Sequence, residues 1–357
     1  MKTQVVKAQT VIEFGAPLQE RVSELPPPAG REVLVRIHTC GLCHSDLHFH
    51  EGHLNLGGGN YLPLTELGIQ PPFVLGHEPF GEIVAFGPEA GLTEADLGSS
   101  VIVYPWIGCG DCEYCNSGRD HQCHKPQVIG MQQPGANADH LLVRDSKFLI
   151  DANGVDRLLA GSYACSGLTS FSALKKLDGL QDQWIAIIGV GGVGMMALSI
   201  AKGIGYGKVV AIDVNDDRLE VAAEQYGADL TINSSRADAA ERLHEATGGL
   251  AGIVDFVGSA DTATFGLAQL TTGGKLVVVG LFGGELRTSL PIIAIKQLTI
   301  IGSFVGSLSE MTELMTYVRA GKVKGIPAQE VPIGEVNQAM AQLRAGKVNG
   351  RLVLTHD

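Results

Sequence analysis

A chain of 357 residues, 45% hydrophobic and 18% charged, has a globular composition and is long enough for two domains of roughly 150 to 200 residues. Its 38 acidic residues outnumber 26 basic ones, and a net charge of −12 excludes any general attraction to phosphate backbones, so nucleic acid is not an expected partner. No apolar run approaches the roughly 20 residues that span a bilayer, and the start MKTQVVKAQTVIEFG lacks the apolar stretch of a signal sequence, so a cytoplasmic protein without a membrane partner is expected.

Up to about residue 165 the pattern is one of short alternating runs, EVLVRIHTC and GEIVAFG among them, separated by Gly and Pro. This predicts a β-rich domain with long loops. Two such loops carry metal-binding residue types. HTCGLCHSDLHFH, residues 38–50, holds two cysteines and four histidines, and LGHEP sets His77 beside Glu78. Further on, Cys109-x2-Cys112-x2-Cys115-x7-Cys123 supplies four thiolates, which satisfy tetrahedral zinc completely and leave no position for a substrate. Loop 109–123 therefore reads as a structural zinc site that pins a segment with few apolar residues. An iron–sulfur cluster is the alternative, as are disulfides, which need an oxidising compartment.

From residue 183 the pattern changes to strand–helix alternation. QWIAIIGV is a continuous apolar run, GVGMMALSIAKGIG has helical spacing, KVVAIDV is a second strand, and NDDRLEVAAEQYG a second helix with Asn215 as N-cap and Gly227 past its end. GIVDFVG and GKLVVVG continue the series, which predicts a parallel sheet covered on both faces. The turn Gly189-Val190-Gly191-Gly192-Val193-Gly194 fits G-x-G-x-x-G between a strand and a helix, and Asp213 ends the next strand about 20 residues on. The glycines allow a tight turn, the helix N-terminus receives a pyrophosphate, and the Asp213 carboxylate accepts from ribose hydroxyls. The same carboxylate repels a 2′-phosphate, so NAD is favoured over NADP. The bland alternative is a tight turn with a solvated aspartate. Arg218 flanks the ribose or is an ordinary surface arginine. After residue 303 come two helical patterns, SEMTELMTYVRAG and GEVNQAMAQLRAG, and a last strand RLVLTH, expected to lie back against the first domain.

Together with ACSGLTSFSALK (164–175), the segments CGLCHSD (40–46), GHE (76–78), the four-cysteine loop and GVGGVG (189–194) make the chain resemble, over essentially its whole length, the zinc-dependent alcohol dehydrogenases of the medium-chain dehydrogenase/reductase superfamily, bacterial and archaeal tetrameric type. The resemblance implies an α/β chain. A β-rich GroES-like catalytic domain would span residues 1–165, a Rossmann doubly wound parallel-sheet coenzyme domain 166–302, and a return to the catalytic domain 303–357. It also implies two zinc ions per chain, one catalytic and one structural.

In that pattern the catalytic zinc is held by Cys43, His77 and Cys165, with the fourth position open; two thiolates and an imidazole bind zinc firmly and leave a Lewis-acid site. Relatives that oxidise polyols tend to have a carboxylate where this chain has Cys165. Glu78 resembles an outer or transient ligand, and Asp46 the carboxylate that orients the His77 imidazole. Ser45 and His48 resemble a proton relay running by way of the NAD ribose, His44 meets the pyrophosphate, and Thr169 with Val279, Gly280 and Leu281 lies near the nicotinamide. Trp106 resembles an aromatic residue of the substrate pocket, though it is also readable as an ordinary buried aromatic. The loop 52–73, GHLNLGGGNYLPLTELGIQPPF, is expected to border or lid that pocket. Leu308 stands about where many relatives carry an arginine that reaches the pyrophosphate. Cys40 is expected to be inert, His38 is left without a role, and His50, His53, His121, His124, His140 and His244 are expected to be surface or packing residues.

The function expected is therefore NAD-dependent interconversion of a primary or secondary alcohol with an aldehyde or ketone. A specialised dehydrogenase of an aromatic or long-chain alcohol or a small polyol is an alternative, as is a non-catalytic zinc- and nucleotide-binding protein. The expected partners are a small-molecule alcohol and further copies of the chain, as a homotetramer or homodimer.

Overall fold

A computed structural model describes residues 3–356, and two separate sheet systems organise them. In the first lobe the strand Val33–Leu42 is the spine of a sheet that runs in space through residues 149–151, 100–103, 79–86, 33–42, 351–355 and 328–332, with His140–Val143 also paired to the spine. Val33, Val35 and Ile37 alternate inward as the sequence pattern requires, while Arg36 faces out and pairs with Glu82 at 2.6 Å. Beyond Ile37 the alternation disappears, Thr39 to Leu42 all being buried, and there the last strand, Arg351–Thr355, pairs antiparallel, with Leu352 opposite Leu42 and Leu354 opposite Cys40. A smaller sheet of Gln19–Leu25, Gln4–Val11 and Phe73–Val74 completes the β-rich part.

The second lobe is a six-stranded sheet of Trp184–Ile188, Lys208–Asp213, Leu230–Asn233, Leu250–Asp255, Leu270–Val278 and Thr299–Gly302. Counted along the chain, the strands lie in space as third, second, first, fourth, fifth, sixth, and every pair is parallel. This is the Rossmann order, with its crevice where the order reverses between the first and fourth strands. Ile185, Ile187, Val209 and Ala211 are fully buried, as strands covered on both faces must be. The helix Asp216–Tyr226 is punctuated as expected: the Asn215 side chain accepts from the Arg218 amide at 3.0 Å, and Gly227 takes the left-handed conformation at φ +71°.

From residue 303 the tail touches both lobes. Its first helix, Leu308–Arg319, buries Met311, Leu314 and Met315 against Leu168 and Phe171 and so stays beside the helix Leu168–Lys175. The same helix reaches the first lobe through Arg319, which pairs with Asp151 at 3.7 Å, and the chain joins that lobe's sheet with the parallel pair Ala328–Pro332 and Arg351–Thr355. The reason is amphipathic packing: a helix with that apolar face is drawn to the nearest uncovered apolar surface, here that of helix Leu168–Lys175. The largest apolar cluster accordingly runs through both lobes, from Ile37 and Tyr104 to Leu168 and Ile187.

Replacing Asn215 by Ala should cost about 1 kcal/mol by leaving the first turn of its helix uncapped. A urea denaturation midpoint equal to that of the parent protein would show that the cap carries no weight.

Candidate active site

Cys43 is the N-cap of the helix His44–Glu51, so its backbone amide needs an acceptor, and Asp46 one turn later provides it at 2.8 Å. The other carboxylate oxygen of Asp46 accepts from Nδ1 of His77 at 3.1 Å, and both side chains are fully buried. A local helix-capping interaction thereby aims an imidazole that is distant in sequence. In the neutral ring the Nδ1 hydrogen leaves Nε2 of His77 with a lone pair, and that atom is buried with no hydrogen-bond partner among the described residues.

Cys43, His77, Glu78 and Cys165 bring four ligand atoms within 4.8 Å of one another, and all four residues are buried. The two sulfurs are 3.9 Å apart, far beyond a disulfide. Their protons are unequally held. Cys165 and the His77 imidazole, with the Arg351 charge beyond, hold the Cys43 thiol well below its ordinary range against the effect of burial, while Cys43 and burial push Cys165 well above it. Burial opposes a charge on His77, but Asp46 and the Cys43 sulfur raise its pKa all the same. Two sulfurs, a bare imidazole nitrogen and a buried carboxylate fit a thiophilic divalent cation such as zinc.

Arg351, unremarked in the sequence, completes the pocket from the last strand. Its guanidinium is 5% exposed and donates to Oε1 of Glu78 at 2.5 Å and to the carbonyl of Leu42 at 3.4 Å. Burial raises Glu78 from the usual carboxylate value of 4.5 to about 7 even so, and Oε2 of Glu78 is without a partner among the described residues. The signal for Arg351 was a single charged residue heading the otherwise apolar strand RLVLTH. Cys40 stays apart: it is fully buried, and burial raises its thiol well above the ordinary range.

Cys165 sits in a π-helical turn, Tyr163–Gly167. Such a turn frees backbone carbonyls from the helical ladder, and that of Ala164 accepts the indole N–H of Trp106 at 2.8 Å. Trp106 is 3% exposed, with its ring 5.6 Å from that of His77. Ser45 lies beside Cys43, its Oγ 3.8 Å from the sulfur, and His48 follows one turn on; both are half-buried.

The second cysteine group is closed. Sγ separations of 3.5 Å for Cys112–Cys115, 3.7 Å for Cys112–Cys123 and 3.9 Å for Cys109–Cys115 match the edge of a tetrahedron with metal–sulfur bonds of about 2.3 Å, and none is a disulfide. The amides of Cys109 and Lys125 both donate to Cys123 Sγ at 3.3 Å. Burial drives Cys115 up to about 12, while backbone and neighbouring thiols hold Cys112 at about 7.

At the switch point of the parallel sheet, Gly189 has φ +84°, and Gly194 leaves no room for a side chain: a Cβ there would lie 1.9 Å from the Gly189 carbonyl. Asp213 is 7% exposed, and its carboxylate accepts from the amides of Val190 at 2.8 Å, Val214 at 2.8 Å and Asn215 at 3.0 Å. It is therefore a clamp on the glycine turn, not the solvated aspartate of the bland alternative. Gly191 caps the helix Gly192–Gly203, and the carbonyl of Val193 accepts the Ser170 hydroxyl at 3.1 Å, one residue past half-buried Thr169. Arg218 has no carboxylate partner among the described residues, and His44 is exposed at the start of its helix. Val279 and half-exposed Leu281 follow the fifth parallel strand.

Segment 52–73 is a hairpin, His53–Gly57 with Asn60–Pro63, and its Gly57 backbone packs on that of Gly284, just past Val279–Leu281. Leu308 packs into the apolar core behind the N-cap Ser307, so no cation stands there. Of the histidines left over, His50 is buried with Nε2 2.7 Å from the Ala16 carbonyl, and His38 pairs with Glu82 at 3.4 Å.

A Rossmann sheet beside a β-rich lobe, with an open set of metal donors, defines a nucleotide-dependent dehydrogenase architecture. The family model described as alcohol dehydrogenase GroES-like domain matches residues 29–153, and that described as zinc-binding dehydrogenase matches 192–319. The NAD-dependent alcohol dehydrogenase of Sulfurisphaera tokodaii is 35% identical over 353 residues, 98% of this chain and 99% of its own. That of Saccharolobus solfataricus is 33% identical over 98% and 99% of the two chains. The crystal structure of the alcohol dehydrogenase from Aeropyrum pernix superposes with a TM-score of 0.86 at 30% identity, covering 98% of this chain and 100% of that one. The chain belongs to the zinc-type alcohol dehydrogenases of the medium-chain dehydrogenase/reductase superfamily.

Arg351→Met should destabilise the metal-free protein by about 3–5 kcal/mol at neutral pH, because the Glu78 carboxylate loses its counter-charge, and adding Glu78→Gln should recover most of the loss. The folded pKa of Glu78, about 7, lies above the ordinary 4.5, so the stability this group contributes is present at low pH and fades as pH rises through that window. Denaturant titrations at pH 5 and pH 8 read the difference; equal losses at both would show that Glu78 is not the group left unpaired.

Proposed function

We propose that the protein is an NAD-dependent zinc alcohol dehydrogenase that interconverts primary or secondary alcohols with aldehydes or ketones. The observation that carries the reading is the bare Nε2 of His77, buried and facing the sulfurs of Cys43 and Cys165. Zinc held by these three residues would supply Lewis acidity that lowers the pKa of an alcohol hydroxyl, and NAD would supply the hydride acceptor. Asp46 holds the His77 ring in register, and Glu78 keeps an unpaired oxygen in reserve as an outer or transient ligand, charge-balanced by Arg351. Ser45 would take the hydroxyl proton, and the NAD ribose and then His48, on the same helix three residues on, would pass it towards solvent.

For the coenzyme, the N-terminus of helix Gly192–Gly203 and His44 meet the pyrophosphate, and Asp213 with Arg218 meets the adenosine ribose. Thr169, Val279 and Leu281 border the nicotinamide, and Trp106 forms a wall of the alcohol pocket. With no cation at Leu308, His44 and the helix N-terminus carry more of the phosphate charge. Cys109, Cys112, Cys115 and Cys123 hold a second, structural zinc. The catalytic domain is residues 1–165 with the returning strands Ala328–Pro332 and Arg351–Thr355, and residues 166–319 are the coenzyme domain. The protein is read as cytoplasmic and as a homotetramer or homodimer. Support for self-association comes from the free edge of strand Thr299–Gly302 and the exposed Leu290, Ile292 and Ile295 beside it.

NADH formation over a panel of alcohols, abolished by a chelator and restored by zinc, is the direct test; no turnover on any alcohol with two metal ions bound per chain overturns the reading. Cys112→Ser should lower the denaturation midpoint and the metal content to one per chain while turnover persists, whereas Cys43→Ala should stay folded and inactive. The reverse pattern would mean that the two sites have been exchanged. Asp213→Ser should admit NADP, with some loss of stability from the freed amides of the glycine turn. An unchanged NAD preference would mean that the carboxylate does not face the ribose.

A further inference from the structure

Loop 109–123 brings four sulfurs together with almost no core of its own: its buried residues are Cys115, Asp120 and Cys123, and the rest are partly or fully exposed. Its charge is also unbalanced. Four thiolates around one divalent cation leave negative charge in excess, and the loop adds Asp111, Glu113 and Asp120 against a single arginine. That residue, Arg119, is already engaged, with Glu113 at 3.9 Å and over the ring of Tyr114. The loop therefore needs a cation and an anchor from elsewhere in the chain.

Arg144 supplies both. It follows directly on strand His140–Val143, which is paired to the spine Val33–Leu42 and so gives it a firm base. Its Nη1 donates to the carbonyl of Gly108 at 2.9 Å and its Nη2 to the carbonyl of Cys109 at 3.3 Å, so one planar guanidinium closes on two successive peptide units at the first sulfur donor. The backbone has no slack at this point. A Cβ on Gly108 would lie 2.4 Å from the sulfur of Cys115 and 2.9 Å from Cβ of Cys123, and Gly110, at φ +93°, would carry one 3.2 Å from Nη2 of Arg144. Gly108 thus lies against two of the donors while its carbonyl is held by the guanidinium, and any outward movement of Cys109 breaks the Arg144 bonds. We propose that Arg144 is the retention clamp of the four-cysteine metal, a positioning residue that keeps Gly108 and Cys109 against Cys115 and Cys123 and so slows the escape of the ion. The inference rests on the reading of this loop as a zinc site, where opening of the loop and loss of the metal are one event.

The test follows zinc release from the full-length protein into an excess of a pyridylazo-resorcinol dye, whose absorbance counts the ions freed. Cys43→Ala is the background, so that the four-cysteine group is the intact donor set under observation. Arg144→Met keeps the aliphatic stem and removes both donors, and should speed release by at least about tenfold, the worth of one hydrogen bond made by a charged group. Arg144→Lys, with a charge but no fork, should fall between Arg144→Met and the background protein. Thermal midpoints of the zinc-free proteins should agree within a few degrees, because Arg144 then has no metal loop to hold closed. Release from Arg144→Met within about twofold of the background rate overturns the proposal while leaving the zinc reading intact. A midpoint lowered as much without zinc as with it also overturns it, since Arg144 would then be a general support of the fold. A background protein that holds no zinc overturns the reading of the loop as a zinc site, and the clamp with it.

Discussion

Much of this structure follows from the requirement to keep Cys43, His77, Glu78 and Cys165 together out of water. Isolated charges in such a place cost several kcal/mol each, so every donor must be balanced by a partner that is also buried. Asp46 answers His77, and Arg351 answers Glu78. These partners come from chain segments near residues 40, 80, 165 and 350, and no local segment could supply them all. The antiparallel pairing of the last strand with Val33–Leu42 delivers the arginine, and that strand order is therefore a condition of the site as well as of the fold.

The two lobes are tied at the same place. Ser170 reaches the glycine turn, Tyr104 reaches Gly306, and Trp106 reaches both the π-helical turn that carries Cys165 and the ring of Phe304. Two of these, Tyr104–Gly306 and Trp106–Phe304, cross from the metal-donor side to the nucleotide side, and the other two fix the Cys165 turn and the glycine turn at either end of the short segment between them. A shift between the lobes would therefore be felt at the donors, which is the coupling that hydride transfer between two separately bound molecules demands.

Much of the fold was legible in the sequence because its signals are local. Apolar runs, the Asn215 cap, Gly227 and the glycine turn each depend on neighbours a few residues apart, and each forms where expected. The alternation of Val33, Val35 and Ile37 was equally readable, but not its loss after residue 37, where the strand is paired with one more than 300 residues away. The helix Leu308–Arg319 was recognised, but not its packing on the helix Leu168–Lys175, because an amphipathic pattern tells that a face will be buried and not against what. Asp213 was chosen for a ribose and is found first as a clamp on three backbone amides, a task invisible without the turn's geometry.

Sequence alone determined the residue types available for chemistry: two groups of metal donors, a nucleotide-binding turn, and the family to which these point. It did so because donor spacing and turn chemistry are properties of short segments. Tertiary structure decided which donors meet. It gave His77 its tautomer through Asp46, set Arg351 behind Glu78, and brought Phe304 across the cleft to Trp106. Each of these is a contact between segments far apart in the chain, and burial and charge balance choose such partners only once the sheets have closed.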